Sequence, residues 1–172
     1  MALNLGSGPA VCSSGQAVAR VTRYDTAVET SMEASRARFL IVDDDGGLAG
    51  LFARILRLDG HDVRTATSGA SALDDIAAWR PDAILLDYRM PLMNGVGFLY
   101  RLRAQETGAR TPVAVITGDA VAAGTIRAEC AILGATVHIK PLAFSDVLAI
   151  ARELVAGNSS LDVAESRSDG ER

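Results

Sequence analysis

Alternating apolar runs and helical stretches predict an α/β fold, a (βα)5 doubly wound parallel five-stranded sheet. Two observations carry that expectation. The runs Phe39-Leu40-Ile41-Val42, Ala83-Ile84-Leu85-Leu86 and Val113-Ala114-Val115-Ile116 are apolar without alternation, as strands covered on both faces require. Each is followed by residues whose apolar positions recur at helical spacing. A third observation concerns the ends of the runs, which close on Asp, Asp, Thr and, further on, Lys. In open parallel sheets the ligand lies beyond those carboxyl ends, where the strand order reverses.

The elements follow in order. Strand 39–43 runs into Asp43, Asp44 and Asp45, and Leu48, Leu51, Phe52, Ile55 and Leu58 then mark a helix that Asp59-Gly60 stops. A short strand from His61 to Ala66 leads to Ser68, a helix N-cap, and to a helix through Ala72, Leu73, Ile76 and Trp79 that Pro81 ends. The third strand is 83–87. A loop from Tyr88 to Asn94 precedes a helix with Val96, Phe98, Leu99 and Leu102. Strand 113–117 leads to an Ala-rich helix from about Ala120 to Leu133. Strand 135–139 reaches Lys140-Pro141, and a last helix spans about 144–156 with Val147, Leu148, Ala151, Leu154 and Val155 inside.

Residues 1–37 mix Gly, Ser, Ala and Thr without a sustained period and are expected to be a flexible N-terminal leader, with a short helix around Tyr24 to Ala37. Residues 38–156 form the folded domain, and 157–172 a polar C-terminal tail. The chain of 172 residues is 49% hydrophobic and 5% aromatic, so its core is expected to be aliphatic. A net charge of −4 offers no general attraction to nucleic acid or to anionic membranes. No apolar stretch approaches the ~20 residues that span a bilayer, and no basic segment leads into an apolar one at the N-terminus. Cys12 and Cys130 stand in unrelated contexts and read as free thiols, which with the rest indicates a cytoplasmic protein. No helix-turn-helix or basic segment follows residue 156, so direct DNA binding is not expected.

Lys140 is the one lysine among sixteen arginines. A compact ammonium is chemically unlike the planar Arg fork, and its place at a strand end suggests a pocket built for a small cation. Asp43, Asp44 and Asp87 would crowd like charges at one rim unless a cation neutralised them. Magnesium prefers such oxygen ligands and keeps some of its waters. Taken singly, each Asp could merely start a loop or cap a helix. With Thr117 and Lys140 the set describes a magnesium and phosphoryl site.

The segments FLIVDDD at 39–45, ILLDYRMPLMNG at 84–95, VAVITGDA at 113–120 and HIKPL at 138–142 resemble, in order and spacing, the receiver domain of bacterial two-component response regulators. The resemblance covers about residues 38–156 and implies a flavodoxin-like receiver fold in a stand-alone, single-domain regulator. It implies that Asp87 is the phosphosite, attacking the phosphoryl group of a phosphohistidine on a sensor histidine kinase or histidine phosphotransfer protein. Asp43 and Asp44 would hold Mg2+, Asp44 directly and Asp43 through water, with Asp87 and the backbone carbonyl of Arg89 as further ligands. Thr117 and Lys140 would each meet a phosphoryl oxygen, and Lys140-Pro141 would be cis. Asp45 would be solvated or capping, Met90 packing, and Gly118 a source of room. Pro91 and Gly95 would fix the turns of the loop, Gly95 by a positive φ. The output would be protein contact through the fourth helix, fifth strand and fifth helix, with homodimerisation open and the downstream target unnamed. No turnover is implied beyond self-phosphorylation from small phosphodonors and autodephosphorylation.

The chain departs from the family pattern at Val137, where a Tyr or Phe is usual, with His138 beside it as a solvent-facing strand-edge residue. The segment from Gly134 to Lys140 is also one residue shorter than the common form. Gly46-Gly47 is an unusual helix start. Arg89 and Asp119 flank the acceptor and are expected to pair across the mouth of the site. Two other functions compete. Asp43-Asp44-Asp45-Gly46-Gly47-Leu48 also resembles the loop of haloacid-dehalogenase-type phosphatases, although that family needs a further acidic pair after the lysine. The other is a receiver-like binding module that signals without phosphorylation.

Overall fold

The computed structural model describes residues 36–165, with side chains as far as residue 157. The expected leader, apart from its last two residues, and residues 166–172 of the tail lie outside that range. Five strands, β1 (Arg38–Val42), β2 (Asp62–Ala66), β3 (Ala83–Asp87), β4 (Val113–Thr117) and β5 (Ala135–Ile139), form one parallel sheet in the order β2-β1-β3-β4-β5. The helices are α1 (Gly46–Leu58), α2 (Gly69–Trp79), α3 (Gly95–Arg103), α4 (Ala120–Ile132) and α5 (Phe144–Glu165), with a 3-10 turn at Glu106–Gly108.

Successive strand residues point to opposite faces, and the core divides accordingly. Leu40, Val42, Ile84, Leu86, Val113, Val115 and Val137 meet α2, α3 and α4 through residues such as Ile76, Phe98, Leu102 and Ile126. Phe39, Ile41, Leu85, Ala114 and Ile116 meet α1 and α5 through Phe52, Leu56, Val147, Ile150 and Leu154. The inner strands β3 and β4 are buried throughout, whereas the edge strands β2 and β5 expose some side chains. This is why only the inner strands are unbroken apolar runs in the sequence.

Side-chain oxygens start the helices. Asp45 accepts from the Gly47 and Leu48 amides of α1, Ser68 from Ser71 of α2, Asn94 from Gly97 of α3, and Asp119 from Val121 and Ala122 of α4. The Asp45 cap offsets the poor helix start of the two glycines. The helix expected to end near 156 continues through Gly157 to Glu165. A single glycine weakens a helix by only about 1 kcal/mol, and no proline follows to stop it.

At the amino ends of the strands, a half-buried guanidinium holds four segments together. Arg103 donates to the carbonyls of Gly108 (2.8 Å), Thr111 (2.9 Å), Leu133 (2.7 Å) and Gly134 (3.2 Å). Burial lowers its pKa, and these oxygens replace the water it has lost. Near the start of β2, His61 is buried and neutral. Its Nδ1 accepts from the Ala37 amide (3.3 Å), and its ring meets Phe39 edge-on, with centroids 4.9 Å apart. Its Nε2 stands 3.7 Å from Asp59 Oδ2.

Burial lowers the His61 pKa from the ordinary value of 6.5, against the Asp59 charge and with that of Arg152. A histidine whose pKa falls on folding stabilises the fold above its unfolded value and loses that contribution as the pH falls through the folded value. Acidification below about 6.5 should therefore lower the melting temperature of the wild type more steeply than that of His61→Gln. Parallel melting curves between neutral and mildly acidic pH would contradict this.

Candidate functional site

The strand order reverses between β1 and β3, so the crevice of the fold opens where these two strands end. Their register pairs Ile41 with Leu85 and Val42 with Leu86. One step further along both strands brings Asp43 beside Asp87, and the period of two turns both side chains to the α1 and α5 face. Thr117 ends β4 next to β3, and Lys140 follows β5, its amide donating to Thr117 O at 2.7 Å. Four strand ends thus bring together residues that are far apart in sequence.

Lys140 Nζ lies 2.7 Å from Asp87 Oδ1 and 3.1 Å from Asp43 Oδ2. The remaining oxygens accept from backbone, Asp43 Oδ1 from the Asp45 amide (2.9 Å) and Asp87 Oδ2 from the Arg89 amide (2.6 Å). Asp43, Asp87 and Thr117 are buried, while Asp44 stands exposed at the rim. Thr117 Oγ1 accepts from the Asp119 amide at 3.1 Å. Arg89 and Asp119 form the expected pair across the mouth. Lys140-Pro141 is cis.

Burial raises the pKa of Asp43, opposed by the Asp45 amide and Lys140 and assisted by the charge of Asp87. Burial would lower that of Lys140, but hydrogen bonds and charges from Asp87 and Asp43 outweigh it and hold the ammonium above its usual range. The Ala122 amide at the start of α4, the Val121 amide and Arg89 hold Asp119 below the usual carboxylate range, against some desolvation.

The donor set fits a divalent cation. One oxygen from each of Asp43, Asp44 and Asp87 can be chosen so that all lie within 4.8 Å of one another. Three carboxylates less one ammonium leave two negative charges, and all the side-chain donors are hard oxygens. A hollow of about 410 Å3 beside them is lined by Arg89, Gly118, Asp119, Ala120 and Val121. A Cβ on Gly118 would meet no protein atom within 4 Å and would project into open space. A larger hollow of about 640 Å3 lies at the other pole around Arg103 and Gly134, and among the described residues that line it there is no carboxylate.

Two expectations need correction. Gly95 does not have a positive φ; the positive φ of this loop belongs to Leu92, at 67°. Glycine suits position 95 because a Cβ would stand 3.1 Å from Tyr88 Cα and 3.2 Å from the Asp87 carbonyl oxygen. His138 is half-buried rather than solvent-facing, and its Nε2 pairs with Thr136 Oγ1 at 2.9 Å. Val137 is buried against α4, so no ring occupies the usual aromatic position. The capping role of Asp119 was not anticipated, though an Asp before an Ala-rich helix is a recognisable signal.

These features define a doubly wound α/β domain whose acidic site sits at the switch point of its sheet. The chain belongs to the response regulator receiver domain family, which it matches over residues 39–152. It is 37% identical over 131 residues to the response regulator MprA of Mycobacterium bovis, an alignment covering 75% of this chain and 55% of that protein. The chain thus spans about half the length of the curated relatives it matches. Among solved structures, the chemotaxis protein CheY4 of Vibrio cholerae matches with a TM-score of 0.65 and 28% identity, covering 70% of this chain and 99% of that one. The receiver domain of the sensor histidine kinase PA1611 of Pseudomonas aeruginosa matches with a TM-score of 0.63 and 27% identity, covering 71% and 99%. That structure has a magnesium ion coordinated in its active site cleft. The chain is therefore a receiver domain of two-component signalling. Among the described residues, no helix is long and apolar enough to cross a membrane.

A carboxyl whose pKa rises on folding stabilises the fold only at pH values low enough to keep it protonated, and near pH 7 its buried charge is a net cost. Asp43→Asn should accordingly raise the urea midpoint of the metal-free protein near pH 7. An unchanged or lower midpoint would show that the bond from Lys140 outweighs the burial of the charge.

Proposed function

We propose that this receiver accepts a phosphoryl group on Asp87 from a phosphohistidine of a sensor histidine kinase or histidine phosphotransfer protein. An Asp87 carboxylate oxygen forms the new O–P bond as the N–P bond of the donor breaks, and the imidazole leaves with the electron pair. The observation that carries this reading is the Lys140 ammonium bridging Asp87 and Asp43 at 2.7 and 3.1 Å. Before transfer it neutralises the nucleophile's neighbourhood; after transfer it is placed to pair with a phosphoryl oxygen. Phosphoryl transfer depends mainly on alignment and neutralised oxygen charge.

Asp43, Asp44, Asp87 and the Arg89 carbonyl would hold magnesium, which when bound supplies positive charge to the phosphoryl oxygens. Thr117 closes the group of contacts with its hydroxyl. The product is a stoichiometric acyl phosphate rather than a released one, so the chain acts as a switch and not as a turnover enzyme. Its output is protein contact through α4, β5 and α5, where Val121, Ile132, Ile139 and Phe144 are exposed. Cytoplasmic action belongs to the same reading.

The test is incubation with acetyl phosphate and magnesium, followed by intact mass and hydroxylamine sensitivity. One labile phosphoryl group per chain is expected, and none on Asp87→Asn. Release of product from a generic phosphomonoester without a stoichiometric adduct would instead favour the haloacid-dehalogenase-type reaction. Neither adduct nor release would favour a phosphorylation-independent binding module.

The Arg89–Asp119 pair narrows the path of water to the acyl phosphate. Arg89→Ala and Asp119→Asn, the latter retaining a capping side chain, should each shorten the lifetime of the phosphorylated state by about two- to fivefold, the scale of an exposed ion pair. Equal decay of both variants and wild type would remove the pair from this role.

A further inference from the structure

At the amino ends of β1 and β2, two buried polar atoms face each other without bonding. His61 Nε2 and Asp59 Oδ2 stand 3.7 Å apart, and neither has a hydrogen-bond partner among the described residues. Buried polar groups are rarely left in this state. The other ring nitrogen fixes the protonation of the ring. His61 Nδ1 accepts from the Ala37 amide at 3.3 Å, so the single proton of the neutral imidazole sits on Nε2. That N–H points at a carboxylate just beyond hydrogen-bond reach.

Ala37 is held by this bond at the entry to β1. Its carbonyl accepts from the Asp62 amide at 2.9 Å, and the residue is only 4% exposed, so water does not stand in for the imidazole. The ring itself is fixed by the His61 amide, which donates to Leu56 O at 3.1 Å, and by Phe39 edge-on. Two charged groups face the ring from the elements packed on it. Asp59 stands at the end of α1, and Arg152 on α5 places its guanidinium 3.6 Å from Asp59 Oδ1. From β1 the ring meets apolar Phe39, while Arg36 and Asp62 nearby pair with each other at 3.3 Å.

We infer that His61 is a proton-operated latch, which when neutral fastens Ala37 at the entry to β1 and when protonated releases Ala37 and pairs with Asp59. A second proton, taken from solvent, can enter the ring only at Nδ1, the nitrogen that accepts from Ala37. Two N–H groups then oppose each other, and the Ala37 amide is left buried without an acceptor. The same proton charges the ring, and a bond from Nε2 to Asp59 becomes charge-assisted. A small movement of the Asp59 side chain, away from its long contact with Arg152, closes that bond. Burial keeps the ring neutral at pH 7 and sets the exchange on the acid side of the ordinary histidine range. The five residues of β1, about 16 Å of extended chain, separate the latch from the acidic site. Acidification thus changes how firmly the amino pole is held, independently of any chemistry at Asp87.

The test is NMR of the isotopically labelled full chain from about pH 7 to about pH 5. It reads the His61 ring nitrogens, the Ala37 amide shift, and the protection of that amide from hydrogen exchange relative to Leu40 within β1. The Ala37 shift should titrate at the midpoint of His61 itself, and its relative protection should fall roughly fivefold, the scale of one hydrogen bond. His61→Asn carries a side-chain oxygen that can accept from Ala37 and does not titrate, so its protection should stay constant. Asp59→Asn should lower the His61 midpoint, because the charge that favours the imidazolium is gone. Constant Ala37 protection through the His61 midpoint would overturn the latch, as would an equal fall in His61→Asn, which would mark general loosening by acid. An unmoved midpoint in Asp59→Asn would remove Asp59 as the acid-state partner and overturn the exchange. A ring that stays neutral until the wild-type domain unfolds would overturn it as well, without recourse to either variant.

Discussion

Two buried carboxylates share one ammonium at the end of a parallel sheet, and the rest of the site is arranged around that contact. The parallel register of β1 and β3 brings Asp43 beside Asp87. Without a counter-charge, two like charges at this separation would oppose their own ionisation. Lys140 supplies the counter-charge from the far side of β4, and its amide is bonded to the Thr117 carbonyl. The contact therefore depends on the order of four strands rather than on any local segment. Because three carboxylates face one lysine, the balance remains negative, and the site has capacity for more positive charge.

On the proposed reading, a chemical change at Asp87 would reach the surface through Thr117. Thr117 Oγ1 holds the Asp119 amide, and Asp119 in turn caps α4 and pairs with Arg89. A phosphoryl group that drew the Thr117 hydroxyl toward itself would release the start of α4. Where an aromatic ring is usual, Val137 is already buried, so no side chain at that position waits to turn inward. The extent of any shift is bounded by the difference in contacts between the two states, and here those contacts lie at the α4 cap and at Lys140.

Much of this could be read from the sequence because the physics involved is local or topological. Buried inner strands leave unbroken apolar runs, helix caps need particular side chains, and a parallel sheet collects its strand ends at one pole. Asp43, Asp44, Asp87, Thr117 and Lys140 all lie at that pole, as expected. What could not be read depends on tertiary contact or on backbone angles. Gly95 is matched to the backbone of Tyr88 and Asp87 across a closed loop, a proximity that no spacing rule encodes. The left-handed turn at Leu92 is set by Met90 and Met93 sinking into a core built largely by other elements. The length of α5 depends on whether one glycine suffices to end a helix, and sequence alone does not decide so small a difference.

Stabilising and destabilising features are unevenly distributed along the sheet. Toward the amino ends of the strands, Arg103 binds four carbonyls, and Arg38 joins β1 to Asp82 and to the Trp79 carbonyl. Toward the carboxyl ends, Asp43 carries a charge that burial disfavours, and Leu92 occupies strained backbone. Residues selected for folding alone would not be arranged this way, since a neutral side chain at 43 and a glycine at 92 would relieve both. A fold can retain such features when the rest of it is secure, and for the acidic pair a cation or phosphoryl group would bring relief. The polarity of the sheet thus separates the task of staying folded from the task of signalling.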